Sequence, residues 1–157
     1  MLLSCFTAEA AEARPVITVT TAGYEPWLEA QPEPRRRWLE GSGFKAKAGR
    51  VALLPGADGS VEAALLVTAP PAEPWDFAGL RDGLPAGDWR LEAAGEGPPD
   101  AGVAALGFAL ASYRFDRYRK AEGKEVRLAV GEDAAVRRAR AVAEGVYLAR
   151  DLINTPA

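Results

Sequence analysis

The chain has 157 residues, 48% of them hydrophobic, and a formal net charge of −3. This length suits one domain, and a chain of this size buries roughly two-thirds of its unfolded surface, so it can fold without disulfides or metal. The sequence contains no histidine. Ser-His-Asp and Cys-His catalysis, histidine zinc sites and histidine proton shuttles are therefore excluded.

Cysteine usage and the apolar runs indicate a soluble cytoplasmic protein. The single cysteine, Cys5, cannot form an internal disulfide, which fits a reducing compartment, and we expect it to lie in a mobile terminus. The longest apolar stretch, residues 102–111, is far shorter than the ~20 residues of a membrane span. Acidic and basic residues are interspersed without a basic stripe, which disfavours nucleic-acid binding.

The N-terminal part of the chain alternates β-branched runs with short amphipathic segments, a pattern that predicts strands and helices in turn. In chain order we predict a strand at 15–20, helices at 26–30 and 33–40, strands at 50–54 and 61–68, a helix at 75–82 and an edge strand at 88–93. The Asp58-Gly59 pair predicts that residues 50–68 form a β-hairpin, with a loop longer than two residues.

A helix rich in small residues is predicted after Asp100, which suits a helix cap. Val103, Leu106, Leu110 and Tyr113 recur at spacings of three and four and should share one face. The many glycines and alanines between them would let this helix lie close against a sheet.

The C-terminal part predicts one more strand, at 125–130, and a last helix that opens at Glu132 and Asp133 and runs to about Asn154. Pro156 disfavours helix at Thr155. The predicted apolar face of the helix comprises Val136, Ala139, Ala143, Val146 and Ile153. Arg150 interrupts this face, so we expect it to be paired or to lie at the rim.

This alternation predicts an α/β fold with about five strands and helices on both faces of the sheet. The hairpin makes the sheet mixed, mostly parallel, rather than purely parallel.

Three segments could mark binding sites, and each has a simpler structural interpretation. Arg35-Arg36-Arg37 indicates either a solvated helix face or a contact with phosphate or a partner. Residues 41–45 follow a helix and lack the third glycine of a dinucleotide loop, which favours a turn. Residues 112–120 alternate cations and aromatics, which indicates either RNA contact or a helix end. The residues alone therefore indicate an α/β domain with no visible active site.

The end of the chain resembles the cytosolic leucyl aminopeptidases of the two-metal M17 family. Residues 150–157, Arg-Asp-Leu-Ile-Asn-Thr-Pro-Ala, match the segment that leads from the family's N-terminal domain into its catalytic domain. Residues 107–118 are similar to the family helix that ends in Gly/Ala-Ser-Tyr-x-Phe. Residues 43–56 look like the N-terminal domain of some bacterial members, and residues 83–89 like the family's Leu-Pro-x-Gly turn. The resemblance covers about 44–157.

The resemblance implies that residues 1–157 form a single, non-catalytic domain and that the linker to a catalytic domain begins near 154–157. It also implies a macro-domain-like three-layer αβα sandwich. The parent enzyme would remove N-terminal amino acids from peptides with two divalent metals, zinc or manganese. Every metal ligand would lie beyond Ala157, so we expect no catalytic, cofactor-binding or metal-binding residue in this chain.

The resemblance further implies that the domain's partners are its own catalytic domain and other subunits of a homo-oligomer, a hexamer. Its role would be assembly and shaping of access to the active sites. The alternative is a stand-alone macro-like module that binds a nucleotide-like ligand or a protein partner, which rests on fold analogy. Because the phosphate-loop fingerprints are absent, we expect no tight binding of NAD or ATP.

Overall fold

The computed structural model describes residues 3–8, 10–95, 97–116 and 123–156. The strands are β1 Phe6–Thr7, β2 Arg14–Thr20, β3 Val51–Pro55, β4 Val61–Thr68, β5 Gly87–Ala93 and β6 Val126–Ala129. The helices are α1 Tyr24–Glu29, α2 Glu33–Gly41, α3 Leu80–Gly83, α4 Ala101–Ala111 and α5 Ala134–Asn154, with a 3-10 turn at Pro74–Phe77 before α3.

The strands form one sheet in the order β1-β6-β5-β2-β4-β3. Only β3 and β4 pair antiparallel, and every other neighbouring pair is parallel. The mixed, mostly parallel sheet predicted from the sequence is therefore confirmed, as is the hairpin.

Helices cover both faces of the sheet, as predicted. Strand β4 shows why, because its side chains alternate between two separate cores. Ala63, Leu65 and Val67 pack with α1 and α2 on one face. Ala64 and Leu66 pack with α3, α4 and α5 on the other. A strand that is buried on both sides has a nearly continuous apolar sequence, as this one does.

Strand β5 lies inside the sheet, between β6 and β2, so its prediction as an edge strand is wrong. Its charged residues alternate with apolar ones, a pattern typical of a half-buried strand. Trp89 is nevertheless fully buried, and Asp88 pairs with Arg127 of β6 at 2.7 Å. The sheet also has a sixth strand, β1, which at two residues is too short for any sequence pattern to predict.

Helix α4 buries a different face from the one predicted. Val103, Leu106 and Leu110 are only half-buried, and the helix ends before Tyr113. The buried residues are Gly102, Ala104, Ala105, Gly107, Phe108 and Ala109. Small residues occupy the buried face because the backbone of a neighbouring segment lies very close to α4. A Cβ atom on Gly107 would lie 1.8 Å from the Pro74 carbonyl oxygen.

The helix cap predicted at Asp100 is confirmed, and Asp133, which is predicted to open the last helix, is also a cap. The Asp100 carboxylate accepts a hydrogen bond from the Val103 N–H, and the Asp133 carboxylate accepts one from the Val136 N–H, each at 2.9 Å. Helix α5 ends at Asn154, and Thr155 is extended as Pro156 requires.

Two further expectations are wrong. Ile153 does not belong to the buried face of α5, because it is 82% exposed, whereas Val136, Ala139 and Ala143 are buried as predicted. Cys5 does not lie in a mobile tail. Its side chain is buried, and its carbonyl accepts a hydrogen bond from the Leu128 N–H at 2.9 Å.

Candidate functional site

Two of the three arginines of the basic run, Arg35 and Arg37, form ion pairs with nearby acidic side chains. Arg35 pairs with Glu62 at 3.2 Å, and Arg37 pairs with Glu33 one turn earlier in α2 at 2.5 Å. These carboxylates occupy guanidinium groups that a phosphate would need. The contacts favour the solvated-face interpretation over a phosphate site.

The glycines at the end of α2, Gly41 and Gly43, lie in a turn that ends the helix, as predicted. Gly43 has a φ of 70°, in the left-handed region where glycine carries no steric cost. The Gly43 N–H donates to the Glu40 carbonyl at 3.1 Å, and the Phe44 N–H donates to the Leu39 carbonyl at 3.2 Å. These bonds satisfy the last carbonyls of α2.

The interpretation of residues 112–120 as a helix end is wrong for the part that the structure describes. Residues 113–116 are not helical, because α4 stops at Ala111. Residues 117–120 lie outside the described residues.

Instead, Tyr113 ties this segment to the end of α5. The Tyr113 hydroxyl donates to the Asp151 carboxylate at 2.8 Å and accepts from the Asn154 amide at 3.2 Å. The Tyr113 and Tyr147 rings meet edge to face with centroids 5.0 Å apart. Arg150 donates to the Leu110 carbonyl at 3.1 Å, which confirms that it is paired. We call this group of residues, Tyr113, Tyr147, Arg150, Asp151 and Asn154, the α5 junction.

The C-terminal half of α5 also carries exposed apolar side chains. Leu148 is 62% exposed, Leu152 68% and Ile153 82%. Beside Leu148 lies a mainly apolar hollow of about 420 Å³ that Leu3 and Tyr147 also line. A cluster of large apolar side chains left in water marks an interaction surface. The sequence carries part of this signal, since Leu148 and Leu152 lie outside the predicted apolar face of the helix, whereas Ile153 is predicted to belong to it.

A second concave region lies where ligands bind in many α/β folds, at the carboxyl ends of the parallel strands. This cleft has a volume of about 320 Å³ and is lined by the ends of β2 and β4 and by the loop before α4. Asp100 is the only charged side chain among the described residues that line it. Because its carboxylate already caps α4, the cleft offers a phosphate no cation and no free helix end.

The described residues contain no group of three or more side chains placed to hold a metal ion. Across the same residues, no helix is long and apolar enough to cross a membrane.

Comparison with known proteins identifies the domain. Residues 14–131 match the family model for the M17 aminopeptidase N-terminal domain. This chain belongs to the M17 aminopeptidase family. The matched range ends before α5, so the recognition of this M17 domain does not depend on the C-terminal motif.

Curated relatives agree with the family assignment. A probable cytosol aminopeptidase from Aeropyrum pernix is 32% identical over 119 residues, which cover 69% of this chain and 23% of that protein. One from Methylorubrum extorquens is 48% identical over 61 residues, or 32% of this chain and 12% of the relative. The aligned part of the M17 domain thus spans less than a quarter of either relative.

Solved structures extend the match to α5. The cytosol aminopeptidase from Coxiella burnetii superposes with a TM-score of 0.79 at 31% identity, covering 97% of this chain and 34% of that chain. The bottromycin maturation enzyme BotP, solved in complex with Mn, superposes with a TM-score of 0.64 at 29% identity, covering 94% of this chain and 32% of that one. The three-layer fold expected of an M17 N-terminal domain is therefore confirmed.

Proposed function

We propose that residues 1–157 are the single accessory N-terminal domain of a metallo-aminopeptidase whose catalytic domain follows in the same protein. The observation that carries this proposal is the exposed apolar end of α5, on the helix that leads into the family's Arg150–Ala157 motif. Leu148, Leu152 and Ile153 would pack against the catalytic domain. The linker would begin near residues 154–157, where Thr155 leaves the helix.

The proposed reaction of the whole protein is removal of N-terminal amino acids from peptides. Two divalent ions, zinc or manganese, would activate water and stabilise the developing negative charge. The described residues of this chain offer no ligand group that fits such ions. The resemblance to the M17 family implies that the metal ligands and the catalytic residues lie in the downstream domain.

The role proposed for this domain is assembly and control of access to the active site. The α5 junction supports this role, because it fixes the last turn of α5 to the loop after α4 through side-chain hydrogen bonds. A helix held in this way sets the direction in which the following chain leaves the domain. We further propose a cytoplasmic homo-oligomer, a hexamer, with support from the family and from relatives named cytosol aminopeptidases.

Metal-dependent peptidase assays test the proposal. Purified 1–157 should release no leucine from a leucyl anilide with zinc or manganese, and neither metal should raise its melting temperature. The protein extended through the downstream domain should show both effects. Metal-dependent release of leucine by residues 1–157, prepared free of host peptidase, would show that the active site lies in this domain and not downstream of it.

The alternative, a stand-alone module for a nucleotide-like ligand, would use the cleft at the carboxyl ends of β2 and β4. The cation-poor lining of that cleft does not favour it. Calorimetric titration with ATP or NAD that gave a low-micromolar dissociation constant would support this alternative instead.

A further inference from the structure

One buried cation of the domain has no partner. Arg81, in α3, is only 8% exposed, and its Nη1 atom is buried without a hydrogen bond. Among the described residues, its guanidinium group forms no ion pair with any carboxylate. Removing a charge from water without an opposite charge beside it is strongly unfavourable. Arg81 therefore lacks an anion that would make its burial favourable.

Arg81 borders a cavity that could admit such an anion. The cavity has a volume of about 370 Å³ and lies between the N-terminal segment, the loop after α4 and the α5 junction. Ser112, Tyr113 and Tyr147 contribute polar side chains to its lining. This volume falls within the range of about 300–1,000 Å³ that is typical of small-molecule sites.

The Cys5 thiol and the Tyr147 hydroxyl, which also line the cavity, do not supply a negative charge. Burial raises the pKa of the Cys5 thiol to about 11, although the positive charge of Arg81 opposes the shift. Burial likewise raises the pKa of Tyr147 above its ordinary value. Both groups are therefore neutral at physiological pH.

The charges that line the cavity favour a ligand with a single negative charge. Among the described residues that line the cavity, there are three cations, Arg81, Arg114 and Lys124, and three acids, Asp116, Glu125 and Asp151, so their formal charges sum to zero. Lys124 already donates to the Asp82 carbonyl, and Asp151 accepts from Tyr113. A doubly charged phosphate would add repulsion with the three acids. One carboxylate would match the one unpaired guanidinium, whose planar fork suits bidentate pairing.

We infer that this cavity is a binding site for a small monocarboxylate, with Arg81 as the residue that pairs with its carboxylate group. This inference does not depend on the proposed peptidase activity.

Nuclear magnetic resonance titration of the ¹⁵N-labelled chain with sodium acetate tests the site, at an ionic strength held constant with chloride. The amide signals of Ser112 and Tyr113 should shift and saturate in the millimolar range. Arg81→Gln should weaken binding about tenfold or more, as expected for loss of a charged pair. Arg36→Gln is the matched control, because the Nε atom of Arg36 is also buried without a partner but lies in α2 on the opposite face of the sheet. This control should bind acetate as the native chain does.

A second variant keeps the test decisive if Arg81→Gln does not fold. Arg81→Met removes the unpaired charge and keeps the apolar stem, so it should melt higher than the native chain without acetate. It should also lose the acetate-dependent rise in melting temperature that the native chain shows.

Three results would overturn the inference. The first is the absence of a saturable acetate shift, or a shift that persists unchanged in both Arg81 variants. The second is tighter binding of inorganic phosphate than of acetate. The third is loss of acetate binding in the protein extended through the downstream domain, which would show that a protein carboxylate fills the cavity.

Discussion

Single glycines set how closely the layers of this domain pack. At Gly107, the added Cβ of any other residue would lie 1.8 Å from the Pro74 carbonyl oxygen, and backbone on both sides leaves little room to relax. At Gly145, in α5, an added Cβ would meet nothing within 4 Å. The same substitution should therefore have opposite effects at these two helical positions.

Gly107→Ala should lower the free energy of unfolding by about 3 kcal/mol or more, because it forces α4 away from the 3-10 turn. Gly145→Ala, the matched control, should raise it by roughly 0.5–1 kcal/mol, since alanine loses less backbone entropy in a helix. Urea denaturation followed by circular dichroism measures both. Equal effects at the two positions would show that the close contact at Gly107 is relieved at little cost.

Burial of Cys5 makes its thiol unreactive and makes the stability of the domain vary with pH in the alkaline range. Folding raises the pKa of the Cys5 thiol from 9.0 to about 11. Between these pH values the folded chain keeps the thiol proton, whereas the unfolded chain loses it. The stabilisation is complete below pH 9.0 and is lost as the pH rises towards about 11. Iodoacetamide should label Cys5 far more slowly in the native chain at pH 8 than in guanidinium chloride. Equal rates would show that Cys5 is accessible.

At the scale of elements, the long and strongly patterned segments were predictable from the sequence. The hairpin, α5 and the Asp100 cap depend on local residue patterns, and the structure has them where the sequence places them. The position of β5 inside the sheet was not predictable, because it depends on pairing with β6, about forty residues later in the chain. The buried face of α4 was missed because close backbone contact, rather than side-chain size, decides which residues are covered.

The α5 junction was recognisable only as a family motif, since its contacts join residues 38 to 41 positions apart. Tyr113→Phe should remove two hydrogen bonds and lower the free energy of unfolding by about 1 kcal/mol. Hydrogen exchange should accelerate at the last turn of α5 and remain slow near Val136. Tyr24→Phe is the control, because this tyrosine is buried in the other core, far from α5. Uniformly faster exchange along α5 would contradict a local role for Tyr113.

At the scale of the whole molecule, the two halves of α5 differ in how they pack against the domain. Its N-terminal half completes the core with Val136, Ala139 and Ala143. Its C-terminal half leaves Leu148, Leu152 and Ile153 in water, where they contribute little to the stability of this domain. This apolar surface is the one that we propose packs against the downstream domain.

Replacement of both Leu152 and Ile153 by glutamate separates the two roles. In the 157-residue chain the variant should unfold within about 0.5 kcal/mol of the native free energy, because both side chains are already solvated. In the protein extended through the downstream domain, the same change buries two carboxylates without partners in the proposed contact, which is strongly unfavourable. Differential scanning calorimetry of that protein should show a lower melting temperature, and limited proteolysis should cut faster after residue 154.

Trp75→Ser is the matched control, since Trp75 is 68% exposed and lies outside α5, so its substitution should leave the domain contact intact. Native-like melting of the double glutamate variant in the longer protein would show that the end of α5 stays exposed and that the domains meet elsewhere.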